Sequence, residues 1–257
     1  MGHKYTRELT AFLSATENFH EKGQYEHSRE ALFEALMDWS IFHTLDEVKS
    51  WFHERRRKPT MQVKEISLNE MDQWKIDAKT GNIEHCSREF FRVHGLRVST
   101  KSRERMSGWD QPILQQIDFD GGIVGLIRKR FSGIPHYLCE AKEEPGNYGV
   151  VQISPTIQAT FSNIKCSHGG RKPHFTDTFL GRHKDKKITV LFDSWLAEDG
   201  GRFYLKRNRG VLLETSCQTD IQLPNDNFIW LSLFQIKQLL IEDAWINPHL
   251  RGIISHV

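Results

Sequence analysis

The stretch His136-Tyr137-Leu138-Cys139-Glu140-Ala141-Lys142, then Glu144-Pro145-Gly146-Asn147, then Val151-Gln152-Ile153-Ser154-Pro155-Thr156-Ile157-Gln158-Ala159-Thr160, reads as two extended segments joined by a reversal. Side chains alternate across a strand, so His136, Leu138, Glu140 and Lys142 share one face and Tyr137, Cys139 and Ala141 the other. Pro145 and Gly146 fall where a type II turn takes proline and glycine. On the returning segment Gln152, Ser154, Thr156, Gln158 and Thr160 recur at every second position. If the chain stays extended past Pro155, these five uncharged groups line one face and Val151, Ile153, Ile157 and Ala159 the other. An exposed polar sheet face has the same pattern. The opposing strand, however, brings an acid, a lysine and a histidine to the matching face, and such a wall fits a hydroxyl-rich ligand.

Outward from this hairpin, the chain from about residue 61 keeps the character of short strands. Thr80-Gly81-Asn82, Asp120-Gly121-Gly122, His168-Gly169-Gly170 and Asp199-Gly200-Gly201 mark its turns. Before it, residues 4 to about 57 read as helices. Leu32, Phe33, Leu36, Met37 and Ile41 recur at helical spacing and predict an apolar stripe, and Thr44-Leu45-Asp46-Glu47 predicts a capped start. That helix ends in Glu54-Arg55-Arg56-Arg57-Lys58-Pro59, where basic residues suit the helix dipole and proline stops the helix. Near the C-terminus Trp230, Leu231, Leu233, Phe234, Ile236, Leu239 and Leu240 predict a buried helix on one face of the sheet. The predicted class is α+β, a mixed and mainly antiparallel sheet flanked by helices, with residues 1–60 an N-terminal helical extension and 61–257 one module.

Composition narrows the function. The chain has 257 residues, 38% of them hydrophobic, enough for one sizeable core. Its formal charge of +2 supplies no global field to gather nucleic acid or an anionic membrane. No apolar run reaches membrane-spanning length and the N-terminus has no signal-peptide core, so the expectation is a cytoplasmic protein without nucleic-acid or membrane partners. Cys86, Cys139, Cys166 and Cys217 stand apart and predict reduced, mostly buried thiols. The 13 histidines form no HxxxH, HExxH or Cys/His grid, so no metal and no cofactor is expected, and His168, His174 and His183 suit loop or structural roles. P-loop, GxGxxG, GxSxG and kinase signatures are absent. In Gly201-Arg202-Phe203-Tyr204-Leu205-Lys206-Arg207-Asn208-Arg209, Arg207 and Arg209 share a strand face and could grip a diphosphate, although basic surface strands look alike.

Several of these stretches together resemble the motif series of the nucleoside-diphosphate-hexose 2,3-dehydratases. They are Gln111-Pro112-Ile113, Glu140 through Asn147, Val151 through Thr160, Ser162-Asn163 and His168-Gly169-Gly170, flanked by Gly81 through His85, Phe90-Phe91, Gly201-Arg202-Phe203, Lys206 through Arg209, and Asn247 and Arg251. The resemblance runs from about residue 45 to the C-terminus. It implies a fold similar to the Nudix module, yet the acidic Nudix box is missing, which disfavours metal-dependent pyrophosphate hydrolysis. Members of the family are typically about twice as long with two such modules, so a homodimer is the expected substitute for the tandem pair.

The implied substrate is a nucleoside-diphosphate-4-keto-6-deoxyhexose, with dTDP the expected nucleotide. Its 4-ketone acidifies C3; proton removal there and loss of the C2 hydroxyl give a 3,4-diketo sugar on the route to 2,6-dideoxy sugars, captured by a partner ketoreductase. The chemistry implies Glu144 or His136 as base and Lys142 as the cation at the C4 oxygen, with Gln152, Ser154, Thr156, Gln158 and Thr160 orienting the sugar. Gln111, Asn163 and His168 join them from the motif series, Arg207 and Arg209 hold the diphosphate, and Trp109 and Phe161 are candidates to flank the nucleobase. Two alternatives stay open: a 4-keto-sugar isomerase or epimerase, which shares the enolate, and a non-catalytic sugar-nucleotide-binding protein.

Overall fold

The computed structural model describes residues 1–16, 26–101, 108–117, 121–166 and 169–257. Three helices come first, α1 (Gly2–Ala15), α2 (Glu26–Leu36) and α3 (Leu45–Arg57). The capped start is present: the Thr44 hydroxyl accepts from Glu47 N at 3.3 Å, and the Glu47 carboxylate accepts from Thr44 N at 2.8 Å. Of the predicted apolar stripe only Phe33 is buried. Leu32, Leu36, Met37 and Ile41 are exposed, and α2 buries Ala31, Glu30 and Glu34 beside Phe33.

Charge explains that inversion. Arg128 lies 2.6 Å from Glu34 and 2.8 Å from Glu30, Arg130 lies 2.6 Å from Glu30, and the Tyr5 and Tyr137 hydroxyls donate to Glu30 and Glu34. Buried charges persist only when paired in this way. Burial pushes the Glu34 carboxyl up despite Arg128. At Glu30 burial acts in the same upward sense, but Arg130 and Arg128 outweigh it and hold the carboxyl at about 2.

The strands form two sheets rather than one. The smaller is antiparallel, β1 (Trp74–Ile76), β2 (Ile83–His85), β3 (Phe91–Val98) and β4 (Trp109–Gln116) in that order. The larger contains β5 (Gly122–Phe131), β6 (Ile134–Glu143), β7 (Val151–Ser154), β8 (Ile157–Thr160), β9 (Ile188–Ala197), β10 (Arg207–Thr215) and β11 (Phe228–Leu231). Its main path runs β11-β6-β5-β10-β9, with β5 and β10 parallel and the other pairs antiparallel.

This sheet forks. β5 and β6 pair from Phe131↔Ile134 to Ile127↔Leu138, and beyond that β7 pairs with β6 while β8 pairs with β5. Thr156 sits at the crotch, its hydroxyl donating to Leu138 O (2.5 Å) and accepting from Ile127 N (2.9 Å). The chain therefore does not stay evenly extended past Pro155. Val151 and Ile153 pack in one core cluster and Ile157 and Ala159 in the other, so the two halves of the polar ladder face opposite ways.

Short helices complete the chain: α4 (Phe161–Ile164), α5 (Thr176–Gly181), α6 (Leu233–Leu239) and α7 (Pro248–Ile254). Trp230 and Leu231 belong to strand β11, not to the predicted helix, because the Ser232 and Gln235 capping box starts α6 one residue later. The reversal after β6 is not type II either: the left-handed residues are Gly149 (φ 76°) and Val150 (φ 68°), beyond Gly146. Ala31, Val48 and Phe52 share a core cluster with the β5–β6 face, α6 and α7, so the helices before residue 60 pack into the same core as the strands. All four cysteines are free, but only Cys139 is buried; Cys86 and Cys217 are exposed.

Candidate functional site

At the forked end of the large sheet, where β5 and β10 begin and β8 and β9 end, lies a cavity of about 650 Å³. Ile123 and Val124 of β5 and Gln158, Ala159 and Thr160 of β8 line it on the sheet side. Next to them Gly122 lets β5 and β8 approach closely, since a Cβ there would lie 2.3 Å from Ala159 O. Phe91 of β3 and the Arg202–Lys206 segment close the cavity, and a 3.0 Å bond from Leu114 N of β4 to Arg202 O ties that segment to the small sheet. The start of α7 forms the remaining wall.

Two polar networks line the cavity. In the first, Gln158 Nε2 donates to Glu144 Oε1 at 2.9 Å and Asn247 Nδ2 donates to Gln158 Oε1 at 2.7 Å, while Asn247 caps α7 through Leu250 N. In the second, Lys206 Nζ donates to Asn208 Oδ1 at 2.7 Å, Asn208 Nδ2 donates to Glu198, and Glu198 Oε1 lies 3.7 Å from His249 Nδ1. Lys206 also lies 5.7 Å from the Phe91 ring centroid. Arg202 at the rim is 3.5 Å from Asp199. Among the described residues, no cluster of three or more His, Cys, Asp or Glu side chains is arranged to hold a metal ion, and no helix is long and apolar enough to cross a membrane.

Of the residues singled out in the sequence, Glu144, Gln158, Thr160 and Asn163 line the cavity. Thr160 also caps α4, accepting from Asn163 N. Lys142 does not line it: it shares the Leu138 face of β6 and lies 3.7 Å from Glu140. His136, at the far end of β6, is fully buried, its Nδ1 against Ile134 O and its Nε2 accepting from Ile41 N. Burial lowers its pKa to about 4.

The other assignments divide similarly. Gln152, Ser154 and Thr156 are buried and spend their polar atoms on Ala244 O, Pro155 O and the fork. Arg207 and Arg209 sit on the Val211 face of β10, opposite to Asn208; Arg207 stacks on Trp195 at 4.4 Å and Arg209 pairs with Asp193. Trp109 donates to Gln111 and Gln111 to Gly201 O, in the small sheet and its junction. Phe161 packs against the core cluster of Ile157 and Ala159. His168 lies outside the described residues.

Glu198 and His249 escaped the sequence reading. Lys206, Asn208 and Asn247 were quoted there only inside motifs, and the alternation of β10 was the signal that could have promoted Asn208 over its neighbours.

A family described as NDP-hexose 2,3-dehydratase matches residues 45–257. A dTDP-4-dehydro-6-deoxy-alpha-D-glucopyranose 2,3-dehydratase of Amycolatopsis orientalis is 37% identical over 231 residues, covering 88% of this chain and 47% of its own. An enzyme of the same description from Saccharopolyspora spinosa is 38% identical over 209 residues, 81% of this chain and 41% of its own. The chain thus spans about half the length of the curated relatives it matches. A solved Nudix hydrolase from M. smegmatis aligns with 57% of this chain and 91% of its own, at a TM-score of 0.30 and 12% identity.

Proposed function

Since this chain belongs to the NDP-hexose 2,3-dehydratase family, we propose that it dehydrates a dTDP-4-keto-6-deoxyhexose, with the sugar in the cavity at the forked end of the sheet. What carries this reading is Glu144, a carboxylate held at the cavity wall by Gln158, itself held by Asn247. The volume lies within the range of small-ligand sites.

The chemistry asks for few groups. The 4-ketone makes the C3 proton acidic, Glu144 removes it, and the enolate expels the C2 hydroxyl. Gln158, Thr160 and Asn163 orient the hydroxyls, while Lys206 and Arg202 offer positive charge toward the diphosphate. In this assignment Glu144 keeps the role the sequence suggested. Lys142 and His136 leave the reacting centre, and Arg207 and Arg209 yield the diphosphate to Lys206 and Arg202. The unstable diketone goes to a ketoreductase, and the working form is a cytoplasmic homodimer, supported by the apolar Leu32, Leu36 and Met37 that α2 and the residue after it leave exposed.

Incubation with dTDP-4-keto-6-deoxyglucose and a ketoreductase, followed by mass spectrometry, tests the reaction. Loss of one water is the expected result. Glu144→Gln should lower kcat by about 10²-fold or more, the scale of a lost general base, and Lys142→Met by only a few-fold. Unchanged mass with a new isomer would replace dehydration by isomerisation, and binding without turnover would leave a sugar-nucleotide-binding protein.

A further inference from the structure

Building on the dehydratase reading, we propose that His249, backed by Glu198, is the general acid that protonates the departing C2 hydroxyl. The two networks reach the start of α7 from different strands: Glu144 through Gln158 of β8 to Asn247, and Asn208 of β10 through Glu198 to His249. β5 lies between β8 and β10. Two strand spacings are about 10 Å, room for one pyranose ring between the Glu144 side and the Glu198–His249 side. His249 Nδ1 faces Glu198 at 3.7 Å, which leaves Nε2 for the cavity that His249 lines. A carboxylate behind an imidazole fixes the ring and accommodates its charged form.

The step needs a second proton carrier because the first is occupied. Glu144 takes the C3 proton and the C3–H electron pair becomes the enolate. As the enolate collapses, the C4 carbonyl re-forms, a C2–C3 double bond forms and the C2–O bond breaks. His249 gives its Nε2 proton to that oxygen, which leaves as water. The enol then ketonises, gaining a proton at C2 and releasing one from the C3 oxygen. No external oxidant or reductant enters.

The test separates the two halves of the reaction in D2O, using dTDP-4-keto-6-deoxyglucose with the ketoreductase present. His249→Gln should still exchange C3 hydrogen for deuterium while water loss falls by about 10²-fold. Glu144→Gln should lose both. Glu198→Gln should weaken water loss in the same direction as His249→Gln, and added imidazole should partly restore His249→Ala, a rescue that a purely structural role would not produce. Water loss at the normal rate in folded His249→Gln overturns the assignment. So does equal loss of exchange and dehydration, or absence of imidazole rescue together with normal turnover in Glu198→Gln. If the unaltered protein binds the sugar nucleotide but neither exchanges C3 nor loses water, the dehydratase reading itself fails and the assignment falls with it.

Discussion

His136 illustrates what a single side chain can and cannot disclose from sequence. Alternation correctly puts it on the face of Leu138 and Lys142, but six residues of strand separate it from Lys142, about 20 Å at about 3.3 Å per residue. It ends among Phe42, Phe131 and the backbone of Ile41, with Asp38 and His43 nearby and Lys129 opposite it on β5. Burial lowers its pKa from 6.5 to about 4. The folded state refuses a proton that the unfolded chain accepts, so the stability is fully present above pH 6.5 and is lost as pH falls toward 4, by about 3 kcal/mol at the limit. His136→Gln should therefore flatten the fall in Tm over that interval; a slope parallel to that of the unaltered protein would show that another group carries it. Glu144 and Gln158 were legible because their signal was local, a carboxylate at a reversal and an amide on the returning strand. The Glu198–His249 pair was not, because it joins the end of β9 to α7 across 51 positions of sequence.

Elements decided the remaining assignments. The ladder from Gln152 to Thr160 has an unbroken two-residue period, yet Pro155 divides it into β7 and β8, which pair with different strands. Proline donates no ladder hydrogen bond, and that was the readable warning of a break. Thr156 takes over at the break, joining Leu138 O and Ile127 N through one hydroxyl. Thr156→Val is nearly isosteric and leaves both backbone groups buried without that partner, at about 1–3 kcal/mol each. Thermal denaturation should show a clear drop in Tm for Val and a smaller one for Ser; an unchanged midpoint for Val would mean that the fork is held by other contacts. Of β10 only the first three residues were foreseen as strand, and Arg207 and Arg209 do share a face, but that face is not the one toward the cavity. Val211 and Leu213 face the core cluster of Ile123 and Phe179, which carries Arg209 and Arg207 away from the cavity and turns Asn208 toward it. An arginine-rich strand advertises its charges, while the register that decides their direction comes from pairing with β5 and β9.

At the scale of the molecule, a buried charge cluster fixes how the helical layer meets the sheet. The 3.6-residue pattern of α2 predicts its leucines inward, but Glu30 and Glu34 are drawn under the layer by Arg128 and Arg130, whose positions β5 sets. Glu30 and Glu34 join Glu214 in balancing the two arginines, and taking a partner from a buried charge costs about 3–5 kcal/mol against about 1.5–3 for exposing a leucine side chain. The outcome is an outward apolar face with Leu32 54%, Leu36 63% and Met37 41% exposed. Leu32 and Leu36 are four residues apart and therefore adjacent on the helix surface. A contiguous apolar face on a protein otherwise rich in charge favours burial against a partner, and a two-fold pair of identical faces is the simplest closed arrangement. Light scattering at micromolar concentration should accordingly report a dimer. The double change Leu32→Glu with Leu36→Glu should give a monomer, with the Tm of the dilute protein little altered because neither side chain belongs to the core. A monodisperse monomer in the unaltered protein would remove the dimer, and a dimer that survives the double change would move its interface away from α2.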